Sequence, residues 1–376
     1  MLFKNDPFKH GFYEINGYRT FSKLEAIELQ NRTGHWPYWN FNDEVFGQLD
    51  WTKEPNIDLN ELYKVRARQI RDAYDYIVIF YSGGSDSVSV LSSFIDAGCK
   101  IDEVASIWNL AGSKTRDSYM NQEVDRVVLP SIRRLHDKGI EFKFRLIDYS
   151  EITSKFILSV DQDYNYYANN AFSPNNIVRA QFRERIKDYA DIINSGKRLC
   201  FVWGSEKPQI FVEGNRHYIQ FFDIIDNCVS PYVQQRYNQG WFDELFYWQP
   251  DLPEILIKQA HTLLKFTQTC NMPELYQEKF NKHGYNFNLK KYITDDVVKT
   301  IIYPSWDPTT FCNGKSPTSI FSLRDAWFWN GNVDEVNNLK SLSNRYFNVL
   351  GNNWIDNIKN KRKGIKCHCS PKYYLN

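Results

Sequence analysis

The 376-residue chain has no apolar run long enough to cross a bilayer. Its opening segment, "MLFKNDPFKHGFYEING", lacks the apolar stretch of a secretory leader. Both absences lead to the expectation of a soluble protein with no membrane partner. Excess charge of one sign is missing too. The 46 Lys and Arg stand against 45 Asp and Glu, a formal net of +1, so no whole-molecule field gathers nucleic acid. Cysteine is sparse and scattered: Cys99, Cys200, Cys228, Cys270, Cys312, Cys367 and Cys369 make an odd count in a chain too long to need stapling. That usage predicts reduced thiols and a cytoplasmic setting. No internal repeat and no low-complexity linker interrupts the chain.

What is present is an ordinary globular balance, 42% hydrophobic and 24% charged, at a length suited to two or three domains. Aromatics are abundant, with 24 Tyr, 26 Phe and 11 Trp, which predicts bulky cores ahead of a stacking surface. Residues 1–70 read as an aromatic-rich N-terminal region. In it "SKLEAIELQNRTG" carries helix signals, with Ser22 as cap, Glu25 completing a capping box and Gly34 as the stop. "LNELYKVRARQIRDAY" predicts an amphipathic helix with Leu59, Leu62, Val65, Ile70 and Ala73 near one face.

From 71 to 228 apolar runs alternate with helical patterns. "YDYIVIFY", "DEVASIW", "EFKFRLIDY" and "RLCFVWG" predict four strands of a parallel sheet. Between them lie "SVSVLSSFIDAG", "SYMNQEVDRVVLPSIRRLHDKG" (expected to bend or divide at Pro130) and "NIVRAQFRERIKDYADIINSG". Residues 151–175 read as an insertion, and Gly214-Asn215 marks a two-residue hairpin turn. The alternation predicts the α/β class, with a doubly wound, mainly parallel sheet. Residues 229–376 then read as a helix-rich C-terminal domain.

The first strand hands over to its helix through Ser82-Gly83-Gly84-Ser85-Asp86-Ser87. A strand-to-helix junction turns several free backbone N–H groups, and the positive end of the helix dipole, toward one spot. Gly83 and Gly84 remove Cβ atoms that would keep an anion away, and Ser82, Ser85 and Ser87 add hydroxyls. The plain alternative is a glycine turn with Ser85 or Asp86 as helix cap. The loop is neither a Walker A nor a G-x-G-x-x-G sequence, which weakens a nicotinamide or flavin reading. Asp86 makes sense beside phosphates if a magnesium ion sits between them. A second constellation, Gly204, Glu206 and Lys207, closes the fourth strand at the same sheet edge. There Lys207 is a candidate to neutralise a leaving pyrophosphate, against the alternative of a solvated ion pair. Asn109 is a candidate near adenine or ribose. Asn121 and Glu123 are substrate candidates, although a solvated helix face is the commoner outcome for such residues.

The hexapeptide matches the S-G-G-x-D-S signature, and on it the chain resembles the PP-loop ATP pyrophosphatases, or adenine nucleotide alpha hydrolases, of the HUP fold. Asparagine synthetases, GMP synthetases, tRNA thiolation enzymes and phosphoadenylyl-sulfate reductases belong to that group. "RARQIRDAYDYIVIFYSGGSDS" and "FYWQPDLPEILIKQAH" are similar to PP-loop proteins of large tailed phages, which would make the setting a host cytoplasm. The resemblance implies ATP and Mg2+ as cofactors and cleavage of ATP to AMP and pyrophosphate. A small-molecule or nucleotide acceptor would be adenylated for attack by ammonia or an amine. Leu2, where a glutamine-using asparagine synthetase carries cysteine, argues against a glutaminase. The alternatives are a sulfonucleotide reductase-like or sulfur-transfer enzyme using Cys367 or Cys369, and a non-catalytic nucleotide-binding subunit. Neither the reductases' Glu-Cys-Gly-x-His context nor the thiolation enzymes' paired C-x-x-C occurs.

Other features read more plainly. Cys367-His368-Cys369, with Cys312 or His283, is a weak zinc pattern and first of all a tail. The run "KNKRKGIK" offers nucleic acid a basic tail, though a solvated one is the commoner outcome. Lys258 and His261, three apart, are expected to share a helix face near a pocket. Arg324, beside Asp325 and three aromatics, is a candidate for a substrate carboxylate or phosphate, or half of a buried pair.

Overall fold

The computed structural model describes residues 8–20, 23–108, 123–159, 186–204, 210–221, 240–269, 286–288, 295–306, 328, 330–350, 355–358, 362–365 and 370–376. The chain opens with β1 (Phe12–Ile15) and β2 (Tyr18–Thr20), joined at Asn16 and Gly17, whose φ angles of 48° and 80° form the left-handed pair of a tight hairpin. Helix α1 (Lys23–Thr33) and strand β3 (Tyr38–Asn40) follow, and the three strands lie in the order β2-β1-β3. The Glu25 carboxylate accepts from the Tyr18 and Thr20 hydroxyls, tying the helix to that hairpin. After the short α2 (Asp43–Phe46), α3 (Leu59–Ala73) is capped by Asp58, which accepts from Asn60 N at 2.7 Å. Its buried face holds Leu59, Leu62, Tyr63, Arg66, Ala67, Ile70 and Ala73. Val65, expected on that face, is only half-buried, and Arg66 takes its place.

The central sheet begins with β4 (Tyr76–Phe80), followed by α4 (Ser85–Asp96) and β5 (Glu103–Trp108). A π-helical turn at Val124–Val128 runs into α5 (Leu129–Asp137), so the expected division falls just ahead of Pro130. Next come β6 (Lys143–Asp148), α6 (Tyr149–Ser159), α7 (Lys187–Asn194) and β7 (Leu199–Trp203). The stretch read as an insertion thus starts as helix. Strands β8 (Ile210–Glu213) and β9 (Arg216–Ile219) form the hairpin expected at Gly214-Asn215.

Strand β10 (Trp241–Leu245) then returns to the central sheet, parallel to β7. The sheet therefore has five parallel strands, ordered β10-β7-β4-β5-β6. It extends past residue 228, where the sequence suggested a boundary. Asp243 and Glu244 hide β10 by breaking its apolar run, yet both are buried. Helix α7 packs on this sheet through Tyr189, whose ring centroid lies 5.2 Å from that of Phe201 on β7.

Among the described residues the remaining elements are α8 (Glu254–Thr269), β11 (Asn286–Asn288), α9 (Asp295–Ile302), α10 (Val333–Leu350), the antiparallel pair β12 (Ile355–Ile358) and β13 (Arg362–Ile365), and β14 (Tyr373–Tyr374). Part of the supposed basic tail is therefore strand. Strand β14 pairs with β9 and β11 with β8. One contiguous apolar core links the N-terminal sheet, the parallel sheet and α8.

Candidate active site

Strand β4 keeps its ladder until Tyr81, whose N–H donates to Ala105 O at 2.8 Å while Ser106 Oγ donates to Tyr81 O at 2.6 Å. The chain then leaves the sheet. Gly83 has φ 73°, and a Cβ there would stand 2.6 Å from Val127 Cγ1 on the π-helical turn. Gly84, extended at φ −76° and ψ 161°, is the cap residue of α4 and offers no side chain for capping. The first amides of α4, from Ser85 to Ser87, consequently have no acceptor within the helix and point with its dipole toward the loop.

The three serines divide the work. Ser87 Oγ accepts from Ser82 N at 3.1 Å and donates to Gly84 O at 3.0 Å, so it braces the loop rather than offering a donor outward. Ser82 Oγ lies 3.3 Å from Ser87 Oγ and 3.4 Å from Gly84 N, and Ser82 is half-buried. Ser85 Oγ is buried without a hydrogen-bond partner.

In this strand order the neighbours β4 and β7 send their connections to opposite sides, so their carboxyl ends border the crevice where open α/β sheets bind ligands. Gly204, just past β7, closes that crevice. A Cβ on it would lie 3.0 Å from Asp86 C and O, so a larger residue would press the strand end against the first turn of α4. Asp86 is half-buried, and its carbonyl accepts from Tyr247 Oη at 2.9 Å. Tyr63, Tyr247 and Tyr303 surround it. Burial pushes all three phenols up, and the Asp86 charge adds to the rise, so they remain protonated donors. Glu123, half-buried, immediately precedes the π-helical turn that carries Val127.

The loop residues Ser82 to Ser87 and Gly204 are thus brought together. Asn109, Asn121, Glu206, Lys207 and Arg324 lie outside the described residues, as do Asp325, His283, Cys312, Cys367, His368 and Cys369. Lys258 and His261 serve another purpose than a pocket. Lys258 Nζ donates to Glu54 Oε1 at 2.7 Å and Pro55 O at 3.0 Å, while His261 Nε2 meets Trp51 O at 2.8 Å. They fasten α8 to the turn at residues 51–55. Sequence reasoning missed Val127 and the three tyrosines, whose aromatic character announced core and nothing more specific.

The residues present fit a phosphate-bearing ligand better than a resident metal. Among the described residues no three or more His, Cys, Asp and Glu side chains gather as a metal-binding set. A single carboxylate, Asp86, beside free helix amides and the unpaired Ser85 hydroxyl suits Mg2+ that arrives with phosphate oxygens, since that ion needs only one or two carboxylates. Among the described residues no helix is long and apolar enough to cross a membrane.

No protein-family model matches the chain, and no curated protein matches its sequence. Among solved structures it is similar to an NH3-dependent NAD synthetase from Campylobacter jejuni subsp. jejuni NCTC 11168 in complex with the nitrate ion. That likeness has 14% identity and a TM-score of 0.27, over 40% of this chain and 58% of that one. The chain therefore spans less than two thirds of the synthetase. It is also similar to the U34-tRNA thiolase NcsA from Methanococcus maripaludis with its 4Fe-4S cluster, at 12% identity and a TM-score of 0.28, over 78% of this chain and 80% of that one. At such scores neither likeness carries weight beside the sheet order and the loop geometry.

Proposed function

We propose that the chain is an ATP-dependent adenylating enzyme of the PP-loop ATP pyrophosphatase class. One observation supports this above all. The S-G-G-S-D-S hexapeptide opens α4 at the switch point of a parallel sheet, with Gly83 at φ 73° against Val127 and Gly204 seated on Asp86. The α4 amides with the Ser82 and Ser85 hydroxyls would hold the β- and γ-phosphates, and Ser87 would keep the loop in shape. Asp86 would hold the magnesium, whose charge supports the departing pyrophosphate. Lys207 is assigned the negative charge that develops as the bond breaks. Asn109 and Glu206 are assigned to the nucleotide, and Asn121, Glu123 and Arg324 to the acceptor.

An acceptor oxygen on a small molecule or nucleotide attacks the α-phosphorus, the α–β P–O bond breaks, and pyrophosphate leaves. Ammonia or an amine then attacks the activated atom of the acceptor and expels AMP. Incubation with ATP, Mg2+ and a panel of carboxylate and nucleotide acceptors, followed by nucleotide separation, tests the reading. AMP should accumulate with an acceptor of the right class, whereas ADP as the product, or no AMP with any acceptor, would count against it.

A further inference from the structure

Three phenols gather on Asp86, although neither the loop motif nor the sheet order requires them. Tyr63 comes from α3, Tyr247 from the turn after β10, and Tyr303 from the end of α9. The rings of Tyr63 and Tyr247 are 5.5 Å apart, those of Tyr247 and Tyr303 5.2 Å, and all three side chains are buried. Their hydroxyls differ in use. The Tyr63 hydroxyl donates to Ile302 O at 2.6 Å and accepts from Gln259 Nε2 at 2.8 Å, so it belongs to the packing of α3 against α8 and α9. Tyr247 donates to the Asp86 carbonyl at 2.9 Å. The Tyr303 hydroxyl faces Asp86, is fully buried, and completes no hydrogen bond of ordinary geometry. A buried donor left in that state is costly, and such groups persist where something else uses them.

We propose that Tyr247 and Tyr303 are positioning residues that fix Asp86 for the magnesium-bearing pyrophosphate, Tyr247 through its backbone and Tyr303 through its carboxylate. This rests on the reading of the loop as a pyrophosphate cradle. A carboxylate has four acceptor sites on two oxygens, so one phenol can hold its rotamer and leave sites for a cation. Asp86 is the second residue of α4 and is only half-buried, so a fixed donor narrows the rotamers open to its side chain. The same contacts join α9 and the turn after β10 to the loop, so the cradle is completed by segments far from it in sequence.

The test is the equilibrium binding of α,β-methylene-ATP, which cannot be cut at that bond, to the full chain by calorimetry. Affinity is measured with Mg2+ and with EDTA, and the ratio of the two isolates the metal-dependent part. Wild type should bind more tightly with Mg2+. Tyr303→Phe should lower the ratio about tenfold, the scale of one hydrogen bond to a charged group, and Tyr247→Phe about threefold, the scale of one to a neutral carbonyl, while the affinity in EDTA stays the same. Tyr63→Phe should lower the melting temperature and leave the ratio alone. In an Asp86→Asn background, Tyr303→Phe should have no further effect on the ratio; a full additional loss there contradicts the role. Should Tyr303→Phe fold poorly, Tyr247→Phe carries the comparison. An unchanged ratio in both, with wild type still magnesium-dependent, overturns the positioning role and leaves the nucleotide reading standing. If wild type binds no nucleotide in either condition, both fall.

Discussion

Gly83 stands where two demands meet: its backbone takes a φ of 73°, and its missing Cβ makes room for Val127. A side chain would face both the strain of the left-handed region and a contact at 2.6 Å. Gly83→Ala should therefore cost at least about 2 kcal/mol, the sum of a modest backbone penalty and some overpacking. Urea unfolding measures it. Adding Val127→Ala should restore the packing part and leave the backbone part, whereas a neutral Gly83→Ala would show the loop to be an ordinary turn. The glycine was readable in the sequence because a phosphate loop needs that residue type at that junction. Val127 was not, because its place against Gly83 depends on a π-helical turn that inserts one residue per turn more than the helix pattern assumes. Ser87 shows the limit in another way. Sequence counts its hydroxyl as a donor toward a ligand, and only the fold shows it donating to Gly84 O.

At the scale of elements, α3 and β10 meet through charge. Glu244 on β10 accepts from Lys9, Arg66 and Tyr74, with the Arg66 Nη2 contact at 2.8 Å and both partners of that pair fully buried. Burial alone would raise the Glu244 pKa, but Lys9 and Arg66 outweigh it and carry the carboxyl down to about 2. Breaking such a pair from one side leaves a buried charge, so Glu244→Gln should destabilise by about 3–5 kcal/mol. The pH dependence has a definite sign. The unfolded Glu244 carboxyl takes up its proton near 4.5 and the folded one only near 2, so its contribution is present above 4.5 and disappears as pH falls toward 2. His10 acts earlier. Burial and then Lys9 hold its pKa well below 6.5, so the unfolded chain is protonated first and stability begins to fall below pH 6.5. Urea unfolding at pH 7, 5 and 3 should show a steady decline, and His10→Gln should flatten the upper part of it. Equal stability at all three values would contradict the assignment. This charged contact also explains why β10 escaped a reading by hydrophobic pattern. "WFDEL" carries two acids in its centre, and a polar strand is core only once its partners are known.

For the whole molecule, the parallel alternation and its loop were plain from sequence, since each strand and helix announces itself locally. The joining of distant segments was not. Tyr373 on β14 stacks on Trp51 at 4.8 Å and packs near Phe46 and Phe221, while Ser370 N donates to Phe221 O at 2.9 Å. The last strand thus closes a core shared with the N-terminal region and the β8–β9 hairpin. A two-residue strand has too little pattern to be seen in sequence. Tyr373→Ala should cost about 3–5 kcal/mol, as other buried aromatic truncations do, and Tyr373→Phe far less. A loss under about 1 kcal/mol would mean that this strand only decorates the core.

The central claim is that the loop at the switch point directs cleavage between the α- and β-phosphates. ATP labelled with 32P in the γ-position, incubated with Mg2+ and an acceptor that supports turnover, tests it most directly. The label should appear in pyrophosphate, one per AMP formed, and should fail to appear there in Gly83→Ala and Asp86→Asn. Label recovered in orthophosphate with matching ADP would contradict the claim.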